Sequence, residues 1–393
     1  MACFIHTADW QLGKPFANIS DQHKRSLAQR ARLDVLKRIS HLVKEYQASF
    51  VLVAGDLFDT NTPDKSTVAA ACSAIGQMEV PVIVIPGNHD HAGAGSIWEQ
   101  VFFLREQSAL APNLHILLDN KVLELDYAVI YPCPLKHRSH ADDPSAWLRD
   151  SEVFRVELSN KPRIVMAHGS TQAFQSEGDD DETTILSSNR INIDRLPIDE
   201  IDYIALGDWH GTKQVGSKAW YSGTPEIDRF PKGEENQPGQ TLIVQSKRGE
   251  NPIVKVITTG HLNWQEATFE FSNDDSIEQF ARQMNDLFGQ RVNEDLLKLT
   301  LTGSLGIAAT SRLDALIESF EARLLRLKLK NNTAIAPSED ELDQLMRSIL
   351  DPLISSVAQQ LVAQNNQGDS ETAIIASLAL RMLHSAAHHE LCS

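Results

Sequence analysis

Short apolar runs alternate with longer amphipathic stretches over the first part of the chain. The runs at 50–54, 82–85 and 164–166 consist almost entirely of aliphatic and aromatic residues. They predict buried strands, because a strand that is covered on both faces needs no polar alternation. Residues 23–47 and 63–79 read as helical stretches between the strands. This order of elements predicts a layered α/β domain.

A short polar motif directly follows most of these strands. The motifs are His-Thr-Ala-Asp-Trp-Gln at 6–11, Gly-Asp-Leu-Phe-Asp at 55–59, Gly-Asn-His-Asp at 87–90, Ala-His-Gly at 167–169 and Gly-Asp-Trp-His at 207–210. In an open α/β layer, ligands bind in the crevice outside the carboxyl ends of the strands, so we expect the five motifs to converge there. Aspartate, asparagine and histidine side chains gathered in this way form the layout of a metal site.

The order of elements changes in the later part of the chain. A predicted strand at 264–271, a helix at 276–288, a strand at 296–302 and a helix at 311–327 indicate a small α+β module. The stretch Asn-Asn-Thr-Ala-Ile-Ala-Pro at 331–337 is typical of a linker.

Two helices are predicted beyond this linker. Ser338 and Glu341 form a capping box for the first helix, and Pro352 is expected to kink or divide it. The second helix covers 371–390. Its apolar positions and those of the first helix are Leu342, Leu345, Met346, Ile349, Leu353, Val357, Ile374, Ile375, Leu378, Met382 and Leu383. The pair either packs on itself or on the preceding module, or it forms a docking element for a partner ATPase.

Length and composition predict a soluble protein of two or three domains. The chain has 393 residues, of which 42% are hydrophobic, so it can bury a substantial core. No stretch has the composition of a secretory leader and no apolar run reaches about 18 residues, so we expect a cytoplasmic location. The cysteines, Cys3, Cys72, Cys133 and Cys392, lie far apart and predict reduced thiols.

The formal net charge of −17 argues against a protein that coats nucleic acid through bulk electrostatics. A local basic groove remains open, because phosphate contacts need only nearby lysine and arginine side chains. The candidates are Lys24, Arg25, Arg30, Arg32, Lys37, Arg38, Lys136, His137, Arg138, Arg323, Arg326, Lys328 and Lys330. For each group the alternative is a solvated surface without a ligand.

The five motifs, in this order, resemble those of the calcineurin-like metallophosphoesterases. The residues at 6–14 and the sequence Tyr-Ser-Gly-Thr-Pro-Glu at 221–226 are similar to the branch that contains the nuclease subunit of double-strand-break repair complexes, the SbcD type. The resemblance covers about residues 1–230, and five motifs in register are far more specific than any one of them.

The resemblance implies a fold and a division into domains. The fold class is α/β, a four-layer β-sandwich flanked by helices, with a small α+β cap domain and a helical C-terminal tail. The expected boundaries are 1–258 for the nuclease domain, 259–331 for the capping domain and 332–393 for the helical segment that could dock a partner.

The resemblance also implies a site for two divalent metal ions. Two ions can polarise a phosphate and lower the pKa of a bridging water. By motif position Asp56 is the ligand shared by both ions. Asp9, Gln11 and His210 complete the first position. Asn88, His168 and Asp208 complete the second.

His89 resembles the catalytic histidine of the family and is not expected to be a metal ligand. As an imidazolium it would stabilise the transition state and protonate the leaving oxygen. Asp90 would then orient the ring or stabilise its charge, and the alternative for Asp90 is a turn or cap residue.

Two residues depart from the family pattern. Gln11 stands where a histidine is usual, and Asp208 stands at the first histidine of the usual Gly-His-x-His. The resulting oxygen-rich ligand set favours Mn²⁺, or Mg²⁺, over Zn²⁺. We expect Asp208 to tighten ion binding at the second position and Gln11 to loosen it at the first.

Three functions are compatible with these residues. The preferred one is a two-metal phosphodiester hydrolase, a DNA exonuclease or endonuclease subunit that acts in DNA repair with an SMC-like ATPase, with a homodimer also implied by the resemblance. The second is a phosphodiesterase or phosphatase for a small molecule or a protein, because the metal site alone does not define the substrate. The third is a catalytically degenerate DNA-binding or scaffold subunit.

Overall fold

The computed structural model describes most of the chain and divides into two units. The described residues are 1–155, 160–171, 189–230, 237–335, 352–367, 372–373, 375–376, 378–380 and 382–383. The first unit is Met1–Asn263 and the second is Trp264–Ser393. In the described part of the chain, no helix has the length and apolar character needed to cross a bilayer.

The first unit is built on two six-stranded sheets. Its strands are β1 (Ala2–Thr7), β2 (Val51–Ala54), β3 (Val82–Ile85), β4 (Leu114–Ile116), β5 (Leu123–Glu124), β6 (Val129–Cys133), β7 (Arg163–His168), β8 (Ser170–Thr171), β9 (Arg190–Ile191), β10 (Tyr203–Gly207), β11 (Lys213–Gln214), β12 (Ala219–Tyr221), β13 (Gln240–Ser246) and β14 (Ile253–Thr258). The first sheet has the order β14-β13-β1-β2-β3-β4 and the second the order β11-β12-β10-β7-β6-β5, with β8 and β9 as a separate pair.

Parallel pairing places the strands that precede the polar motifs side by side. In the first sheet β1 pairs with β2 and β2 pairs with β3, all parallel. In the second sheet β7 and β10 are parallel neighbours. The carboxyl ends of β1, β2 and β3 therefore lie at one edge of the first sheet, and those of β7 and β10 lie at one edge of the second.

Three helices cover one face of the first sheet. They are α1 (Gln22–Glu45), α2 (Lys65–Gly76) and α3 (Val101–Leu110). Asp21 caps α1 by accepting from the Lys24 amide at 2.9 Å, and Asp64 caps α2 by accepting from the Thr67 amide at 2.8 Å. The buried faces of these helices pack on the first sheet in one apolar cluster, which confirms the helices predicted between the strands.

The core between the two sheets is made by their facing side chains. Phe4, Leu52 and Ile83 of the first sheet form one cluster with Ile164 and Met166 of the second. The outer face of the second sheet is covered by short 3₁₀ helices and loops. The fold-class prediction, an α/β sandwich flanked by helices, is confirmed.

The second unit is an α+β module with a helical tail. It contains β15 (Asn263–Phe271), α4 (Ser276–Phe288), β16 (Asp295–Leu305), α5 (Ile307–Arg323), β17 (Arg326–Asn331), β18 (Ala334–Ile335) and α6 (Pro352–Gln367). Strand β16 lies between β15 and β17 and also pairs with β18. The core includes a chain of aromatic contacts from Phe269 and Phe271 through Phe280 and Phe320 to Phe288.

Two expectations about the end of this module are wrong. The helix predicted over 311–327 ends at Arg323, and a strand begins at Arg326. Leu327 and Leu329 alternate with basic residues and pack against the module core, which is strand periodicity within a sequence of strong helix formers. The predicted linker at 331–337 contains β18, which pairs in parallel with the end of β16.

The tail packs on its own unit through a small apolar cluster. Ala358 and Leu380 are buried there with Ile307. Pro352 is the first described residue of α6. The capping box at Ser338 and Glu341 lies outside the described residues, as do parts of the helix predicted at 371–390.

Candidate metal centre

Three of the five polar motifs adopt sharp left-handed turns just after their strands. Asp9, Gln11, Asp56 and Asp208 have φ values of 53°, 40°, 54° and 96°, a region that residues with a side chain rarely occupy. Backbone hydrogen bonds tie two of these loops together, because the Asp9 amide donates to Gly55 at 3.1 Å and the Gln11 amide donates to Asp56 at 2.8 Å. Strained backbone of this kind clusters at functional sites, where the surrounding structure holds it.

Three buried side chains form a cluster with the geometry of a cation site. One ligand atom each from Asp9, Asp56 and His168 lies within 4.8 Å of the other two. His168 Nε2 is 3.5 Å from Asp56 Oδ2, 3.7 Å from Asp208 Oδ1 and 3.0 Å from Asn88 Oδ1. The structure thus gathers all residues predicted for the second ion position around one nitrogen, together with Asp9.

The backbone fixes the orientation of this cluster. His168 Nδ1 donates to the Ala54 carbonyl at 2.8 Å, which leaves Nε2 to face the carboxylates. A Cβ on Gly55 would lie 2.0 Å from His168 Nδ1, and one on Gly87 would lie 2.1 Å from Asp56 Oδ1. Only glycine at these positions lets the loops approach the two ligands so closely.

The pKa values of the side chains in the cluster reflect an excess of negative charge. Burial raises the pKa of Asp9 to about 7, and neighbouring carboxylates add to this shift. Burial opposes the charged form of His168, but Asp56, Asp9 and Asp208 outweigh it and hold the pKa of His168 well above its ordinary value. A divalent cation fits this oxygen-rich, buried site, since it would neutralise the charge that protons otherwise neutralise.

Metal uptake should depend on pH, because ligands must lose their protons before they bind. With the pKa of Asp9 near 7 and that of His168 raised, both groups carry a proton in a larger fraction of molecules as the pH falls. We expect the affinity for Mn²⁺ to fall by about tenfold or more between pH 8 and pH 6. Isothermal titration calorimetry in buffers of different ionisation enthalpy measures both the affinity and the released protons. Equal affinities at the two pH values, without proton release, would contradict this expectation.

His89 lies beside the cluster and is held by backbone groups. Its Nδ1 donates to the Asp59 carbonyl at 2.8 Å, which leaves Nε2 for a ligand. Its backbone amide donates to Asp56 Oδ1 at 2.9 Å. Burial opposes protonation of the ring, but the Asp56 carboxylate outweighs it and raises the pKa of His89. The His89 imidazole is therefore placed next to the central carboxylate of the cluster, which favours its protonated form.

The carboxylate of Asp90 is buried against backbone amides. It accepts from Gly87 at 2.8 Å and from Phe58 at 3.0 Å, and it thereby joins two of the site loops. The loop that Asp90 holds through the Phe58 amide continues to Asp59, whose carbonyl accepts from the His89 ring. These contacts give Asp90 a positioning role. Its predicted action on the ring stays a prediction.

The residues predicted for the first ion position meet three charged side chains. Gln11 Nε2 is 3.4 Å from His210 Nε2, and Gln11 Oε1 accepts from Lys14 Nζ at 3.0 Å. Lys14 also pairs with Asp228 at 2.9 Å, and Asp228 accepts from His210 Nδ1 at 3.0 Å. Arg229 Nη2 is 3.4 Å from His210 Nε2. Within the described ranges, His210 does not join the cluster of Asp9, Asp56 and His168.

Sequence reasoning missed Lys14, Asp228 and Arg229 as site residues. Lys14 lies in the first motif region, and the other two follow the motif at 221–226 by only a few residues. Their closeness to these motifs in the sequence was therefore the signal that could have identified them. Lys14 and Asp228 pair over more than two hundred residues of sequence, which no local pattern reveals.

Arg32 is buried beneath the site and does not face solvent. Its guanidinium donates to the carbonyls of Asp9 at 2.8 Å and Trp10 at 2.9 Å. It also donates to the carbonyl of Glu226 and to Thr224 Oγ1, both at 3.2 Å. Its proposed place in a basic groove is wrong, because the side chain is 2% exposed and ties the first motif to the 224–226 loop.

Replacing Arg32 with methionine should destabilise the first unit. The change leaves several buried carbonyls without a donor, and we expect a loss of roughly 2–4 kcal/mol in the free energy of unfolding. Urea unfolding followed by tryptophan fluorescence measures this loss. Arg30→Met is the matched control, because Arg30 is 61% exposed and pairs with Asp34 on the same helix. A variant as stable as this control would contradict the assigned role.

His91 follows His89 by two residues. Ionisable side chains of another loop lie close to it. Burial lowers the pKa of His91, and the charges of His137, Arg138 and His140 lower it further. The rings of His137 and His140 are 5.0 Å apart. This group, the His91 cluster, gives the site a neighbouring surface that consists of three histidine side chains and the exposed Arg138.

Comparison with known proteins finds a matching family and similar solved structures. A family model described as calcineurin-like phosphoesterase matches residues 4–212, which include all five motifs. The crystal structure of TT1561 of Thermus thermophilus is 12% identical, with a TM-score of 0.39 over 66% of this chain and 99% of that one. A second crystal structure is 13% identical, with a TM-score of 0.38 over 65% of this chain and 98% of that one.

Proposed function

The chain belongs to the calcineurin-like phosphoesterase family of metal-dependent phosphoester hydrolases, and on this premise we propose that it is a Mn²⁺-dependent DNA nuclease. The observation that carries the proposal is the buried cluster of Asp9, Asp56 and His168 with His89 on its border. This arrangement combines a cation site with a proton donor, the two groups that hydrolysis of a phosphodiester with an alkoxide leaving group uses.

The ion would be held by the cluster and its two neighbours. Asp56, Asp9 and His168 supply the central ligands, and Asn88 and Asp208 converge on the same place. A divalent ion bound there supplies Lewis acidity toward a phosphoryl oxygen and lowers the pKa of water. The preference for Mn²⁺ rests on the number of oxygen donors, since only one imidazole takes part.

His89 is the proton donor in this proposal. The Asp59 carbonyl fixes the ring through Nδ1, so that the Nε2 proton is available to a leaving alkoxide. The raised pKa favours the charged form of the ring, and this charge also stabilises the negative phosphate in the transition state.

DNA is proposed as the substrate on three grounds. The exposed Arg138 of the His91 cluster can contact a phosphate backbone next to the site. The sequences at 6–14 and 221–226 resemble the nuclease branch of the family. A hydrolase for small molecules would not need the second unit, Trp264–Ser393. In the same proposal, the second unit acts as a cap and the enzyme works in DNA repair.

An SMC-like ATPase is the proposed partner. Leu353 of α6 is 71% exposed, and Ile375, Leu378 and Met382 of the following helical residues are 51–69% exposed. Apolar side chains exposed at helical spacing suit docking on a partner helix.

The test is cleavage of end-labelled single- and double-stranded DNA with Mn²⁺, with Mg²⁺ and without metal, beside the generic diester bis-p-nitrophenyl phosphate. We expect metal-dependent cleavage of DNA that is lost in Asp56→Asn and His89→Asn. Hydrolysis of the generic diester with no cleavage of either DNA, also in the presence of the partner ATPase, would contradict the assignment of DNA as the substrate.

A further inference from the structure

Gln11 and His210, two of the residues predicted for a first metal ion, belong to a closed hydrogen-bonded circuit that contains one cationic side chain, Lys14. The circuit runs from Gln11 to Lys14, from Lys14 to Asp228, from Asp228 to His210, and from His210 back to Gln11. Arg229 adjoins it through both Asp228 and His210. The circuit is assembled from the loop after β1, the loop after β10 and the loop that precedes β13.

The lysine contact determines how the Gln11 amide is oriented. An ammonium group can only donate hydrogen bonds, so the Gln11 atom 3.0 Å from Lys14 Nζ must be the amide oxygen. The amide nitrogen is then the atom that faces His210. Gln11 therefore gives its only ligating atom to a cation that belongs to the chain.

The His210 lone pair is also directed at nitrogen donors. Asp228 accepts from Nδ1 at 3.0 Å, so the lone pair of the neutral ring is on Nε2. That nitrogen is 3.4 Å from both Gln11 Nε2 and Arg229 Nη2, which are N–H donors. The lone pair that a metal ion would take thus points to two N–H groups.

The buried Asp228 carboxylate anchors both cations in this place. Its side chain is fully buried and lies 2.9 Å from Lys14 Nζ and 3.4 Å from Arg229 Nε. If an ion displaced the two cations, it would leave this carboxylate without their charges in a site that excludes water, which is strongly unfavourable. The cations and Asp228 therefore form a unit that resists replacement.

We infer that Lys14 and Arg229 occupy the first position in place of a metal ion, so that the chain binds a single divalent ion at Asp9, Asp56 and His168. The inference rests on the metal site of the proposed function. It disagrees with the two-ion site that the family resemblance implies, because Gln11 and His210, as placed here, do not fit an ion. The two side-chain cations then supply the positive charge that a second ion would bring to a bound phosphate.

The test is the number of Mn²⁺ ions per chain after equilibrium dialysis of the full chain at saturating Mn²⁺, measured by inductively coupled plasma mass spectrometry. We expect one ion per chain and the electron paramagnetic resonance spectrum of an isolated Mn²⁺. Two ions per chain with the spectrum of an exchange-coupled pair would overturn the inference, and so would no bound ion.

Variants show whether the cations exclude the second ion. The combination of Gln11→His, Lys14→Met and Arg229→Met is expected to raise the count from one to two ions, while the surface control Lys37→Met keeps it at one. A folded triple variant that still binds one ion would contradict the role given to the cations. The ion count is measured without DNA and does not depend on nuclease activity. A chain that binds one ion but cleaves no DNA would therefore refute the proposed nuclease and leave this inference standing.

Discussion

Asp56→Asn is expected to remove tight Mn²⁺ binding and to lower hydrolysis of any phosphodiester by about a thousandfold or more. Asp56 is the central carboxylate of the site, with Oδ2 3.5 Å from His168 and Oδ1 bonded to the His89 amide. Burial opposes its ionised form, yet His168 and His89 outweigh burial and lower the pKa of Asp56, so the carboxylate is charged at neutral pH. Asparagine keeps the shape and removes the charge that attracts the ion.

Calorimetric Mn²⁺ titration and the rate with bis-p-nitrophenyl phosphate measure the two effects of this change separately. Asp34→Asn is the matched control, since Asp34 pairs with Arg30 and Lys37 on the exposed side of α1. Thermal unfolding of both variants in the absence of metal checks that they are folded. If folded Asp56→Asn bound Mn²⁺ as tightly as the wild type, the ion would have to lie elsewhere.

The convergence of the motifs could be predicted because it depends on rules that act along the chain. Apolar runs identify buried strands, and parallel neighbours bring their carboxyl ends to one edge. That is enough to bring Asp9 and Asp56 together at one edge of the first sheet. His168 ends a strand of the second sheet, and the packing of the two sheets brings it to the same place. The left-handed turns at Asp9 and Asp56 could not be predicted, because few residue types favour them and only the packed loops hold them.

The sequence contained a signal that Arg32 is buried, but the positive charge of its side chain suggested a place on the surface. Ala28, Val35 and Leu36 are buried on the same face of α1, and Arg32 stands at helical spacing from all three. An arginine on an apolar face indicates a buried guanidinium with dedicated acceptors, because an unpaired buried charge is too costly. The acceptors themselves lie after β1 and before β13, and only the tertiary structure reveals them.

The strands β17 and β18 of the second unit were not predicted, and for β17 the local sequence favoured the wrong structure. Leu327 and Leu329 alternate with Arg326, Lys328 and Lys330, but the same residues are strong helix formers and follow a helix directly. Pairing with β16 decides the outcome, because six residues of β17 align in register with that buried strand. Long-range pairing therefore overrides local propensity at this point.

His89→Asn is expected to lower DNA cleavage by about a hundred- to ten-thousandfold without weakening Mn²⁺ binding. The asparagine amide can still donate to the Asp59 carbonyl, as Nδ1 does at 2.8 Å, and the backbone amide can still donate to Asp56. What is lost is the Nε2 proton and its positive charge. The variant therefore separates proton donation from the structure of the loop.

The leaving group tests the proton-donor role more sharply than the rate alone. A nitrophenolate leaves without being protonated, so bis-p-nitrophenyl phosphate should lose much less rate than DNA in His89→Asn. Since the pKa of His89 is raised, the wild-type rate on DNA should fall as the pH rises through that pKa, and this decline should be absent from the variant. His115→Asn, at an exposed position of β4, is the control for the substitution itself. Equal losses with both substrates would mean that His89 acts through its charge on the phosphate and not by donating a proton, because only the proton transfer depends on the leaving group.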